Sequence, residues 1–139
     1  MKIKIQKKRP DAIIPTKPDS GSGAYDLYCL QGVAIPPHTV VQIPIGIAFE
    51  IPQGYGGIIY DRSGMGRKGY NRHGGFIDAS YRGEVSVLIN NTTTDIRYIQ
   101  TGDRVAQIAF QKVEEVEFEE VDELSETERG EKGFNSSGN

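Results

Sequence analysis

No stretch of this chain sets apolar residues at helical spacing over three or more turns; its hydrophobic pattern runs in a period of two. Lys2 to Gln6, Val85 to Ile89 and Glu115 to Glu119 alternate apolar with polar or charged residues, as strands with one face in a core do. Longer β-branched and apolar runs cover Val40 to Ile51 and Arg104 to Val113. Pro36-Pro37, Pro44, Pro52, Gly54 and Gly56-Gly57 punctuate them as turns or edge positions. Many short strands with close turn signals predict an all-β protein, a jelly-roll-like β-sandwich. The acidic run Glu114 to Glu123, interleaved with Val116, Phe118 and Val121, reads as the wet face of an edge strand, where charge discourages wrong pairing.

At 139 residues the chain has the size of one domain and can bury roughly two thirds of its unfolded surface. Residues 1–125 are expected to form the sandwich. The stretch 126–139 carries one large apolar residue, Phe134, among Gly, Ser, Asn and charge, and is expected to be a flexible arm. A single cysteine, Cys29, excludes an internal disulfide and fits a reducing compartment. No run approaches the ~20 apolar residues of a membrane span, and Met1 to Ile5 lacks the apolar stretch of a signal peptide. The expectation is a cytoplasmic protein without a membrane partner. A net charge of −3 argues against nucleic acid as a partner. The cations Arg62, Arg67, Lys68, Arg72 and Arg82 nonetheless crowd the middle of the chain, which suits a small anionic ligand.

Three constellations carry chemistry. Gly64-Met65-Gly66-Arg67-Lys68-Gly69 matches a dinucleotide fingerprint in letters, but no strand–helix–strand unit surrounds it. Glycines also bring backbone N–H groups close to anions in other settings, and Arg62-Ser63 adds a fork of donors and a hydroxyl. With Gly64 the segment reads as a phosphate cradle, against the plain alternative of a solvated turn. In the second, Asp78 follows the apolar pair Phe76-Ile77 and precedes Tyr81 by three. A carboxylate at the edge of an apolar pocket can hold a water and act as a general base, while an aromatic ring can pack on a sugar or base. Asp and Tyr are also common at turns and strand ends. The third is the tail. Arg129 and the serines Ser136 and Ser137 suit phosphate oxygens, and Phe134 suits stacking on a base. The two histidines, His38 and His73, have no zinc-ligand spacing, and Cys29 reads as a small buried side chain.

In order, spacing and content these segments resemble the five motifs of the trimeric dUTPase family, the deoxyuridine 5′-triphosphate nucleotidohydrolases. Ser22-Gly23-Ala24-Tyr25-Asp26-Leu27 is similar to the first, Arg62-Ser63-Gly64-Met65-Gly66 to the second, and Gly75-Phe76-Ile77-Asp78-Ala79-Ser80-Tyr81-Arg82-Gly83 to the third. Gly102-Asp103-Arg104-Val105-Ala106-Gln107 resembles the fourth, and Arg129-Gly130-Glu131-Lys132-Gly133-Phe134 with the following serines the fifth. The resemblance implies a homotrimer whose active sites are shared between chains, each closed by a swapped C-terminal arm. It implies Mg²⁺-dependent hydrolysis of dUTP to dUMP and pyrophosphate, which keeps uracil out of DNA and supplies dUMP for thymidylate synthesis.

Carried over by residue, Asp78 is the base for a water attacking the α-phosphorus, with Gln107 beside it. Arg62, Ser63, Gly64 and Gln107 hold phosphates, and Tyr81 packs on the deoxyribose. Backbone groups of Gly75, Phe76 and Ile77 read the uracil edge. Asp26 meets Mg²⁺ through water, and Arg129, Gly133, Phe134, Ser136 and Ser137 form the lid. Three departures stand out. Asp61 stands where the family usually has proline, and Lys132 and Asn135 replace small residues. The Gly69–Gly74 hairpin is short, with Arg72 or His73 where some members use asparagine. Two rival readings follow: a dCTP deaminase, which needs a glutamate where this chain has Leu88, and a non-catalytic nucleotide-binding protein.

Overall fold

The computed structural model describes residues 1–131 and 133. Among them the strands are β1 (Lys4–Lys7), β2 (Tyr25–Tyr28), β3 (Val33–Ile35), β4 (Val40–Pro44), β5 (Ile47–Glu50), β6 (Tyr55–Tyr60), β7 (Tyr70–His73), β8 (Phe76–Ile77), β9 (Ser86–Asn91), β10 (Arg97–Ile99) and β11 (Arg104–Lys112). One turn of helix, α1 (Ser63–Gly66), interrupts them, so Ser63 and Gly64 of the expected phosphate cradle sit at a helical turn. No helix among the described residues is long and apolar enough to cross a membrane.

The strands pair antiparallel in four small sheets, ordered β2-β11-β6-β8, β4-β9-β7, β1-β5 and β3-β10. Their inner faces meet in one core in which Leu27, Ile35, Ile43, Ile47, Ile59, Val87, Ile89 and Ile108 are buried. Isoleucine and valine dominate because a β-branched side chain packs well on a pleated surface. Cys29 lies in this core, and burial pushes its thiol pKa up. Buried Asn91 is fully used: its amide donates to the carbonyls of Ile35 at 2.9 Å and Asp95 at 2.8 Å, and its oxygen accepts from Thr93. That satisfies a polar side chain which would otherwise be costly in a core.

The acidic edge strand expected after Glu114 does not form. β11 ends at Lys112, and residues 113–127 belong to no strand. Within this run Phe118 is 92% exposed and Leu124 87%. The alternation is real, but the chain offers this segment no strand of its own to pair with.

Candidate active site

The four-stranded sheet positions every candidate group except the tail. In β11, Arg104 and Gln107 stand three residues apart and would face opposite sides of a regular strand. A register shift between Arg104 and Ala106 in the pairing with β2 inserts one extra residue. The bulge returns Arg104 and Gln107 to the same polar face, both beside Asp26. Gln107 is paired with Asp26 on one side and with Tyr60 on the other.

Asp26 is 3% exposed, which is unusual for a carboxylate, and its charge is answered twice. Arg62 Nε donates to Oδ1 at 2.7 Å, and an Arg104 guanidinium nitrogen donates to Oδ2 at 3.3 Å. Arg62 also donates to the Arg104 carbonyl at 3.3 Å. Asp26 thus locks Arg62 in place next to Ser63 and Gly64, which are exposed at the start of α1. Asp26 is shared by two guanidinium groups, so each keeps donors that a further anionic ligand could take. Gln107 is committed through its amide nitrogen, which donates to the Asp61 carbonyl at 2.8 Å, leaving its oxygen available.

The second half lies at the other end of the sheet. β8 pairs with the edge of β6 through Ile58↔Phe76 and Gly57↔Ile77. Ile59 N donates to the Gly75 carbonyl at 2.8 Å, so that carbonyl is taken. In an antiparallel ladder hydrogen-bonded and non-bonded pairs alternate. The next pair, Ile58 with Phe76, is therefore non-bonded, and the N–H and C=O of Phe76 face the free edge. Beyond β8 a tight turn, with Tyr81 N donating to Asp78 O at 3.1 Å, brings the Asp78 and Tyr81 side chains together. Both line a pocket of about 330 Å³ whose walls include Phe76, Ile77, Val85 and Leu88.

Two glycines shape this pocket. A Cβ at Gly56 would stand 2.5 Å from the Phe76 ring, so only glycine lets that ring lie over β6. A Cβ at Gly83 would stand 2.5 Å from Tyr81 Cζ, so Gly83 leaves room for the Tyr81 ring to fold back and donate to Glu84 O at 3.0 Å. The ring remains 44% exposed and offers a face to the pocket. Two carboxylates line this pocket, and their bonding differs. Glu84 accepts from Gly46 N at 3.0 Å and sits 3.6 Å from Arg9, whereas among the described residues no donor is bonded to the Asp78 carboxylate.

The sheet register measures the gap between the halves. Asp78 follows Ile77, opposite Gly57, while Gln107 is opposite Tyr60, three residues further along β6 and two strands from β8. At about 3.3 Å per residue and about 4.8 Å per strand, Asp78 and Gln107 of one chain are on the order of 15 Å apart. Asp26 and Arg62 are farther still. The residues expected to act together therefore stand in two groups within one chain: Asp26, Arg62, Ser63, Gly64 and Gln107 in one, and Gly75, Phe76, Ile77, Asp78 and Tyr81 in the other. Of the lid, Arg129 and Gly133 are exposed in irregular chain, with Gly130 N donating to Thr127 O at 3.1 Å. Phe134, Ser136 and Ser137 lie outside the described residues. Sequence reading did not single out Arg104 as the second cation on Asp26, because the bulge that turns it there leaves no mark in simple alternation.

The family model for dUTPase matches residues 10–138. This chain belongs to the dUTPase family. The deoxyuridine 5′-triphosphate nucleotidohydrolase of Helicobacter pylori (strain Shi470) is 40% identical over 141 residues, spanning 99% of this chain and 97% of its own length. That of Corynebacterium diphtheriae is 41% identical, spanning 98% and 92%. Among solved structures, the Staphylococcus bacteriophage 80alpha dUTPase with dUPNHPP superposes with a TM-score of 0.91 at 26% identity, covering 99% of this chain and 98% of that one. The dUTPase of phage phi11 of S. aureus, a structure concerned with a structural Mg(II) ion, shares the fold with a TM-score of 0.81 at 23% identity, covering 89% of this chain and 99% of that one. The deaminase reading has no support here: Leu88, where that chemistry needs an acid, is a half-exposed apolar wall of the Asp78 pocket.

Proposed function

We propose that this protein hydrolyses dUTP to dUMP and pyrophosphate in sites built between copies of the chain. Asp78 holds a water against the α-phosphorus and takes its proton. The new P–O bond forms as the bond from the α-phosphorus to the bridging oxygen breaks, and pyrophosphate leaves. A general base must stand within about 2.6–3.2 Å of the proton it removes, directly or through one water. Adjacent phosphates share a single bridging oxygen, so the groups gripping the leaving pyrophosphate must stand close to that same water. A backbone separation of roughly 15 Å within one chain is at or beyond the reach of two side chains and one water, which favours a site shared between copies. The observation that carries the reading is this separation, combined with the bonding of each half: an uncommitted carboxylate beside a sugar-sized aromatic face, and a locked cationic cradle.

Assembly is part of the same proposal. The cradle of one copy meets the Asp78 pocket of another, and the family resemblance implies three copies around one axis. The exposed alternation of Val116, Phe118 and Val121 supports a swapped segment that completes its sheet on a neighbour, with residues 126–139 as the closing arm. Tyr81 packs on the deoxyribose where a 2′-hydroxyl would collide. The outward backbone groups of Phe76 lead base recognition, with Gly75 and Ile77 flanking. Arg62, Ser63, Gly64 and Gln107 hold the phosphates. Arg129, Gly133, Phe134, Ser136 and Ser137 cover them.

The residues also fit Mg²⁺. Among the described residues no three His, Cys, Asp or Glu side chains form a metal cage, as suits a hard ion held mainly by triphosphate oxygens and waters. Asp26, 3% exposed and bonded to both arginines, would meet the ion only through a water entering beside them, on a lone pair the arginines leave free. When bound, the ion would supply charge neutralisation on the phosphates.

The test is pyrophosphate release from dUTP, dCTP, dTTP and UTP with Mg²⁺, with ammonia followed in parallel. Release from dUTP in strong preference is expected. Silence on every nucleotide would leave a binding protein, and ammonia from dCTP would restore the deaminase.

A further inference from the structure

Between β6 and α1, Asp61 replaces the proline that the family resemblance leads one to expect, and the structure gives its side chain a task. The Asp61 carboxylate accepts from the backbone N–H of Arg72 at 2.9 Å, while its own carbonyl takes the Gln107 amide at 2.8 Å. The Arg72 side chain then turns under the next hairpin. Its guanidinium donates to the Gly74 carbonyl and lies 6.0 Å from the Tyr60 ring centroid. A Cβ at Gly75 would come within 3.0 Å of the same guanidinium.

The hairpin needs such restraint. Gly74 and Gly75 have successive positive φ values, 64° and 114°. Two glycines in that region can adopt many other conformations at little cost. They are fixed at three points: Arg72 N by Asp61, Gly74 O by the Arg72 side chain, and Gly75 O by Ile59 N. One further observation argues against a plain brace. Arg72 Nε is buried and, among the described residues, donates to nothing. That leaves this nitrogen able to donate to a group the described residues do not supply.

We propose that Asp61 and Arg72 are positioning residues that set base selectivity, by holding the Gly74–Gly75 turn so that the Phe76 backbone edge meets the pyrimidine in register. The inference rests on the reading that this hairpin recognises the base of dUTP. It concerns residues that touch the turn rather than the nucleotide, and it depends on the carboxylate at 61, which a proline there would not offer.

The experiment measures kcat/KM for dUTP, dCTP and UTP with full-length wild type, Asp61→Ala, Asp61→Asn and Arg72→Ala. Loss of the Asp61 bond should lower the dUTP/dCTP ratio by roughly three- to tenfold, the equivalent of one net hydrogen bond. The dUTP/UTP ratio, which reads the sugar through Tyr81, should stay unchanged. Asp61→Asn keeps an acceptor oxygen and should restore the base ratio, and Arg72→Ala should lower it as Asp61→Ala does. A proportional loss on all three nucleotides, or no restoration by asparagine, overturns the proposal. If Asp61→Ala proves unfolded by circular dichroism, the base ratio of Arg72→Ala decides: an unchanged ratio overturns it. A wild type inactive on dUTP would instead remove the functional reading on which the proposal rests.

Discussion

Gly83→Ala separates the position of Tyr81 from its chemistry, because the tyrosine itself is left intact. The added methyl would stand 2.5 Å from Cζ and 2.8 Å from Cε2 of the ring, closer than packed carbons approach. Gly83 is not among the positive-φ residues, so the backbone accepts alanine and only the ring must move. With 44% of its surface exposed, the ring has solvent to swing into, and relief costs mainly its bond to Glu84 O. One such bond is worth about 0.5–1.5 kcal/mol, so the melting temperature should fall by only a few degrees. Function should suffer more. A displaced ring no longer packs on the deoxyribose or obstructs a 2′-hydroxyl. If that contact is worth about 1–3 kcal/mol, as for aromatic stacking on nucleotides, kcat/KM for dUTP falls roughly 5- to 150-fold. The loss on UTP should be smaller, so the dUTP/UTP ratio narrows. Pyrophosphate release on both nucleotides, beside a thermal melt, tests each part. A variant that melts normally and still excludes UTP at wild-type turnover would refute the reasoning, because the ring could not then be the sugar platform.

Other perturbations follow from the same geometry. Asp78→Asn should fold normally and lose about 10²–10⁴ in kcat, and wild-type turnover in a single-turnover assay would remove Asp78 from the mechanism. Truncation before Arg129 should leave an assembled protein that hydrolyses dUTP poorly; failure to assemble in light scattering would make the tail structural. Burial raises the pKa of both Cys29 and Tyr70, with Asp103 adding to the rise and, more weakly than burial, a hydrogen bond to Gln31 and the Arg97 charge respectively opposing it. The unfolded chain then loses these protons first, near the ordinary values of 9.0 and 10.0, while the folded chain keeps them. This stabilisation is complete below those values and lost as pH rises through the folded ones. Melting temperature should therefore decline through the alkaline range, with Cys29→Ala flattening the first part; an unchanged slope in that variant would count against it.

The sandwich was legible because a period of two survives in short windows. Val85 to Ile89 alternates in sequence, and within β9 Val87 and Ile89 are buried while Leu88 is exposed. The Asp78 group was legible for a similar reason: its members fall within seven residues, Gly75 to Tyr81, so the chain itself brings them together. What escaped is whatever depends on an irregularity of a strand or on the presence of a pairing partner. The bulge at Val105 changes which residues share a face without altering the residue types, so the pairing of Arg104 with Asp26 could not be read from spacing. The run after Lys112 has the alternation of an edge strand and no partner, because alternation reports a side chain's need for burial but not which molecule meets it.

That last point bears on why the two halves sit apart at all. A single-chain site would require Asp78 to reach the cradle across β6 and β11, yet the middle of that sheet face carries Tyr60, Ile58 and Ala109, with Gln111 bonded to the Tyr60 hydroxyl at 2.9 Å. That stretch carries no charged side chain of its own strands, unlike the cradle with its two arginines. The cationic cradle at one end and the carboxylate pocket at the other are each finished locally, one by the Asp26 lock and one by the glycines beneath Phe76 and Tyr81. Both hang on the one sheet β2-β11-β6-β8, at its opposite ends. If, as proposed, the site is completed between copies, dilution below the dissociation constant of the assembly should abolish turnover, whereas constant specific activity on dilution would place the whole site in one chain.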